Sequence, residues 1–192
     1  IRLSAHKNNL SLDNLVLFND NSELKASGNL TVGKRFDLLF EGKSSLAPFK
    51  AFVRSLDALK GDASFVVSIG GDWNEPRING GIDISNGSIG LKDLYYRATS
   101  VSGYIYFDEN RLIISNASGK IAGGEVTLKG NARLKRFNID RFFLETRIDN
   151  ATLSPSKDLW INFGGNLYVR GDLNTQQIVG DIKVNKGRYT DR

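Results

Sequence analysis

Apolar and polar residues alternate along most of the chain. Leu24, Ala26, Gly28, Leu30 and Val32 share one parity, while Lys25, Ser27, Asn29 and Thr31 hold the other. The pattern returns in Phe36, Leu38 and Phe40, in Phe65, Val67 and Ile69, in Ile78, Gly80, Ile82 and Ile84, and in Val101, Gly103, Ile105 and Phe107. It continues through Val126, Leu128, Gly130, Ala132 and Leu134, then Leu167, Val169 and Gly171, then Ile178, Gly180, Ile182 and Val184. A period of two places these residues on one face of a strand and their neighbours on the other. One apolar and one polar face is the signature of antiparallel sheet; strands buried on both sides, as in parallel α/β enzymes, read as continuous apolar runs. Turn signals punctuate the alternation at Asn19-Asp20-Asn21, Gly33-Lys34, Asn74-Glu75-Pro76, Asn86-Gly87, Asp108-Glu109-Asn110 and Gly123-Gly124. Asp13-Asn14 separates Leu10 and Leu12 from Leu15 and Leu17, which have the opposite parity, so a bulge is expected there to keep the apolar side continuous.

One segment departs from this pattern. Leu46, Phe49, Phe52, Val53, Leu56 and Leu59 lie at helical spacing, Ser44 or Ser45 can cap, Pro48 suits a first turn, and Gly61 can stop the helix. The spacing predicts a short amphipathic helix near residues 46–60 that covers one end or the apolar face of the sheet.

The strand pattern is also repeated. Glu23-Leu-Lys-Ala-Ser-Gly28-Asn29 recurs as Glu125-Val-Thr-Leu-Lys-Gly130-Asn131, about a hundred residues later. Gly71-Asp72, Asn74, Ile78, Gly80, Ile82 and Gly87 recur as Gly171-Asp172, Asn174, Ile178, Gly180, Ile182 and Gly187. We read residues 1–192 as one continuous β-repeat region of a longer protein. Its units run approximately over 8–107 and 110–192, the second being truncated. Stacked repeats present an extended surface or groove more readily than a single catalytic pocket.

Composition narrows the chemistry. The chain has no Cys and one His, His6. This leaves no thiolate metal site, disulfide framework, or Cys-His or Ser-His-Asp catalytic set with a partner for that histidine. No glycine-rich loop precedes a helix that could receive a phosphate. Asp72 and Asp172 recur, each within its own turn, where capping of backbone amides is the expected role. No catalytic residue, metal ligand or cofactor is predicted, and the chain is not expected to be an enzyme. The net charge is +5, with basic residues at Lys34-Arg35 and at Arg133, Lys135 and Arg136. Charged hairpin ends that keep sheet edges soluble account for these clusters; contact with anionic lipid headgroups or an acidic partner is the functional alternative. No recognition helix or arginine–aromatic platform points to nucleic acid. No apolar run reaches the roughly 18 residues that a membrane-spanning helix needs.

Four phrases together resemble the TamB family and its AsmA-like relatives. They are Gly71…Pro76…Gly80-Gly-Ile82-Asp-Ile84-Ser-Asn-Gly87, Gly103-Tyr-Ile-Tyr-Phe107-Asp-Glu-Asn-Arg-Leu112-Ile-Ile114, Gly123-Gly-Glu-Val-Thr-Leu-Lys-Gly130 and Gly180-Asp-Ile-Lys-Val-Asn-Lys-Gly187-Arg-Tyr189. Gln176 stands where the first unit has Pro76. The resemblance implies an elongated antiparallel sheet curled into a hydrophobic trough, a β-taco. It also implies a periplasmic location, within a protein anchored in the inner membrane of a bacterium with two membranes, and a BamA-like outer-membrane barrel (TamA or its equivalent) as partner. Two roles follow from it: phospholipid transport between the membranes, or assembly of autotransporters and other outer-membrane barrel proteins. The candidate lipid-groove residues are Leu24, Leu30, Val32, Phe65, Val67, Ile69, Ile82, Ile84, Val126, Leu128, Leu167, Val169, Ile182 and Val184. Phospholipid acyl chains are the expected occupants, and outer-membrane protein clients are the expected partners under the second role.

Overall fold

In a computed structural model that describes residues 3–19, 22–52, 56–92 and 95–190, the chain forms twelve strands in one antiparallel sheet whose spatial order is the sequence order. The first five are β1 (Leu3–His6), β2 (Asn9–Asn19), β3 (Ser22–Thr31), β4 (Arg35–Ser45) and β5 (Leu56–Asp72). Then come β6 (Pro76–Leu91), β7 (Ala98–Glu109), β8 (Arg111–Ile121) and β9 (Gly124–Lys135). The last three are β10 (Asn138–Ser156), β11 (Leu159–Gly171) and β12 (Gln176–Tyr189). Each strand pairs with its sequence neighbours, as short connections between antiparallel strands favour. β1 and β12 are not hydrogen-bonded to each other, so the sheet does not close into a barrel.

The sheet is nevertheless strongly curled. Phe36 at the start of β4 packs against Phe137 in the β9–β10 turn, with ring centroids 5.9 Å apart. Five interstrand steps separate β4 from β9, which in a flat sheet would be roughly 24 Å. A second bridge joins turns on the same end of the sheet, where the Arg136 guanidinium donates to the Asn74 side-chain oxygen at 3.4 Å. At the opposite end the Ser154 amide of β10 donates to the Tyr96 hydroxyl, in the β6–β7 connection, at 3.0 Å. Bulges supply local bending. The predicted one lies between Leu12 and Leu15, and a second occupies the corresponding place in β8, between Ile114 and Ala117. Asn86, Ser100 and Asn150 take left-handed backbone conformations where the registers of β6, β7 and β10 slip. An extra residue on one strand increases twist and turns the strand.

The core is thin. Among the described residues the buried apolar side chains are Ala26, Phe36, Leu46, Ala63, Ala132 and Ala151, and no large side chain is fully buried. Among the described residues no second layer covers the apolar face: packing is confined to neighbouring strands, the short segment against β5 and a few bridges across the curl.

The helix predicted near residues 46–60 is corrected. Among the described residues of this span, only Ala47–Phe52 is helical, as a 3-10 segment, and the Ala47 amide donates to Ser45 Oγ at 3.3 Å, as expected of a cap. Phe49 and Phe52 fall in that segment, whereas Val53 lies outside the described residues. Leu56 and Leu59 belong to β5, opposite Leu91 and Ile89 of β6. The 16-residue strand β6 offers backbone groups along its whole length. Pairing with it satisfies donors and acceptors that a short surface helix would leave at its ends. Leu46 is buried at the end of β4, its amide donating to the Gly61 carbonyl at 2.8 Å.

The recurring aspartates build matching turns. Asp72 Oδ1 accepts from the amides of Asn74 and Glu75, both at 2.8 Å, and Asp172 Oδ1 accepts from those of Asn174 and Thr175 at 2.7 and 2.8 Å. The amides of Thr175 and Asn174, with a smaller contribution from Arg141, hold the Asp172 carboxyl below the usual carboxylate range. Its folded pKa is therefore lower than its unfolded one. The resulting stabilisation is present above the unfolded value and is lost as pH falls through the folded value. D172N keeps an oxygen acceptor but does not titrate. The gap in urea midpoint between wild type and D172N is expected to narrow as pH falls through the carboxylate range. A gap independent of pH would show that the charge contributes nothing.

Candidate functional site

Antiparallel register decides which side chains share a face, because directly paired residues point the same way. Starting from Leu24, the pairs Leu24↔Gly42, Gly42↔Phe65, Phe65↔Ile82 and Ile82↔Ile105 run from β3 to β7. Ile105↔Ile114, Ile114↔Gly130, Gly130↔Leu144, Leu144↔Val169 and Val169↔Ile178 carry the same face to β12. Leu30, Val67, Ile69, Ile84, Val126, Leu128, Leu167, Ile182 and Val184 all fall on it. This is the inner, concave face, since Phe36, opposite Leu30, meets Phe137 across the curl. Val32 is the exception. It sits in the β3–β4 turn, 56% exposed, with its amide donating to Asn8 O at 2.8 Å.

Exposure varies along this face. From β3 to β11 the predicted groove residues on strands are half-buried by their neighbours and by the curl. On β12, Ile178, Ile182 and Val184 are between 60% and 67% exposed. An apolar cavity of ≈ 230 Å³ lies on the concave side, and Ile89, Val101, Ile121, Val126 and Leu128 are among its lining. It is open to solvent, so an apolar chain could enter without unfolding the sheet.

The two ends of the trough differ. At one, Phe36 lies 4.5 Å from Trp73 and 5.9 Å from Phe137, and the Trp73 indole donates to Thr31 O at 3.2 Å. Beside this cluster is a polar notch of ≈ 780 Å³ whose lining includes Arg77, Arg133, Lys135 and Arg136 together with Asp72, Glu75, Glu109 and Asp140. At the other end the Tyr96–Ser154 bridge spans the shorter strands β7, β8 and β9. Sequence reasoning did not anticipate the Phe36–Trp73–Phe137 contact, for which no local signal exists. It also omitted Phe142, Leu144 and Ile148 of β10 from the groove, although their alternation with Glu145 and Arg147 was there to be read.

The outer face is polar with aromatic patches. Tyr104 and Tyr106 stack with centroids 6.3 Å apart, as do Phe143 and Tyr168. Among the described residues there is no group of three or more His, Cys, Asp or Glu that could hold a metal ion. Among the same residues no helix is long and apolar enough to cross a membrane.

Residues 115–190, from the middle of β8 through β12, match the family model of the TamB C-terminal domain. That matched part of the chain is a TamB-family fragment. Neither the curated proteins nor the solved structures gave a match. The matched span contains two of the four phrases that carry the sequence resemblance, Gly123–Gly130 and Gly180–Tyr189; Gly71–Gly87 and Gly103–Ile114 lie outside it. TamB proteins form a transport and assembly module of the bacterial envelope, associated with the periplasm and with outer-membrane assembly, and are not an enzyme family. The open, curled all-β sheet seen here agrees with the fold that the family resemblance implies.

Proposed function

We propose that this chain provides part of a hydrophobic groove that carries phospholipid acyl chains across the periplasm. In this reading it belongs to a protein anchored in the inner membrane and joined to a BamA-like outer-membrane barrel. The supporting observation is the uncovered apolar face that runs from strand to strand across the sheet. Each methylene moved from water onto such a face contributes roughly 0.8 kcal/mol at full burial. The contacts depend on area and not on directed bonds, so a lipid can slide along them. Leu24, Leu30, Phe65, Val67, Ile69, Ile82, Ile84, Val126, Leu128, Leu167, Val169, Ile182 and Val184 would line the path, and Val32 would border it at the turn.

A photo-crosslinking residue at Leu128 in the bacterial envelope tests the proposal, with Lys129 as control. Lys129 pairs with Glu145 on the outer face. Lipid adducts are expected at Leu128 and not at Lys129, and a carboxylate at Leu128 or Val67 is expected to block transport before it prevents accumulation of the protein. A silent Leu128, with transport unaffected by charges at several groove positions, would overturn the reading.

A second reading, a scaffold for autotransporters and barrel proteins, draws on the edge strand β12, whose apolar Ile178, Ile182 and Val184 are more than half exposed on the concave face. A client strand could add to such an edge through main-chain hydrogen bonds. Under it, crosslinkers along β12 would capture client protein while Leu128 captured no lipid.

A further inference from the structure

Three arginines stand side by side across the polar face. Arg111 opens β8, Arg133 lies near the end of β9 and Arg141 near the start of β10, and the register pairs Arg111 with Arg133 and Arg133 with Arg141. Directly paired residues have Cβ atoms about 5 Å apart, and like charges so placed are destabilising. All three are exposed. Arg111 bonds to Asp108, and Arg141 is within electrostatic reach of Asp172, whose carboxylate already accepts two turn amides. The Arg133 side chain, at the centre, has no hydrogen bond or ion pair to any described residue, and neither does that of Lys135 two residues on. Asp140 adjoins the row in sequence, and Arg133 also borders the polar notch. A sheet needing only soluble hairpin ends could alternate its charges here, as it does at Lys129 opposite Glu145.

We propose that the Arg111–Arg133–Arg141 row is a docking surface for an anionic membrane, with its guanidinium groups taking lipid phosphates. Planar guanidiniums bind phosphate through paired hydrogen bonds and are weakly hydrated, which suits a crowded row better than ammonium groups would. The turns at the same strand ends carry apolar tips. Phe137 in the β9–β10 turn is 51% exposed and Leu173 in the β11–β12 turn is 63% exposed. Apolar tips that enter the headgroup boundary, with cations set behind them, match a bilayer surface. An acidic protein segment would have no use for the tips. The surface lies outside the concave trough, so it adds a site of attachment to whatever the trough carries.

Flotation of the 192-residue protein with phosphatidylcholine vesicles, with and without phosphatidylglycerol, tests this. Binding is expected with phosphatidylglycerol only and should weaken as salt screens the exposed charges. R133Q should reduce it roughly fivefold, and R111Q/R133Q/R141Q roughly a hundredfold. The same substitutions remove like-charge repulsion, so the melting temperature should hold or rise, and circular dichroism would confirm an intact sheet. L173S, made away from the row and from the contacts across the curl, should also weaken binding. Equal binding to both vesicle types, or full binding by the triple variant, would overturn the proposal. Loss of vesicle binding in inorganic phosphate at matched ionic strength would overturn it too, in favour of a free-phosphate site. A protein that fails to dock but still yields lipid adducts at Leu128 would lose this inference and keep the groove.

Discussion

F36A is expected to lower stability by about 3 kcal/mol, the lower end of what removal of a packed phenylalanine costs, and to open the trough. Phe36 is 8% exposed and is the one aromatic side chain among the buried residues. It touches Trp73 from the adjoining β5–β6 turn and Phe137 from the β9–β10 turn, so one ring ties this corner of the sheet to a turn five strands away. Its alanine variant loses apolar burial and two aromatic contacts, each worth about 0.5–1.5 kcal/mol beyond area. Urea unfolding followed by tryptophan fluorescence reads the stability. Because the chain has no Cys, spin labels on cysteines introduced at Lys34 and Lys135 would report the separation across the trough. A longer and broader distance distribution is expected in F36A and a near-normal one in F36L. Lost stability at unchanged separation would assign the curl to bulges and strand twist alone.

G80A is expected to cost about 3–5 kcal/mol, combining a strained backbone with overpacking. Gly80 has φ of +124°, and a Cβ built on it would overlap the Val66 carbonyl oxygen of the adjoining strand. It pairs with Val67 and Phe107 in the middle of the groove face. The backbone of β5 therefore approaches where a side chain would stand, and relief requires the two strands to part. Gly33 separates the two contributions. Its φ is +72°, but a Cβ there meets nothing within 4 Å, so G33A should cost only about 1 kcal/mol. Equal melting shifts for G80A and G33A would show that close strand approach contributes nothing at Gly80.

The strands and the apolar face were legible because both rest on a local rule. Alternation at Leu24–Leu30, Phe65–Ile69 or Val126–Leu134 needs only the pleat of a strand, and each register in the sheet preserves that parity. The bulge at Asp13-Asn14 was readable for the same reason, as a break in parity that only an extra residue could mend. The helix expected over 46–60 failed at its second half. Apolar spacing there suited a helix, but Leu56, Ala58 and Leu59 found partners in Leu91, Gly90 and Ile89. Local propensity is worth tenths of a kcal/mol per residue and yields to a ladder that satisfies whole rows of backbone groups.

Phe36, Trp73 and Phe137 carry no shared local pattern, and nothing in their spacing announces that they meet. The same holds for Tyr96 with Ser154, and for the three arginines that antiparallel register places in one row. By itself the sequence determined which residues form strands and which face of each is apolar. Only the tertiary structure decided how far the sheet curls, which turns touch across it and which charges stand side by side. Side-chain parity is a property of one strand, whereas curvature accumulates from twist and bulges over twelve strands, and no single stretch of sequence records the sum.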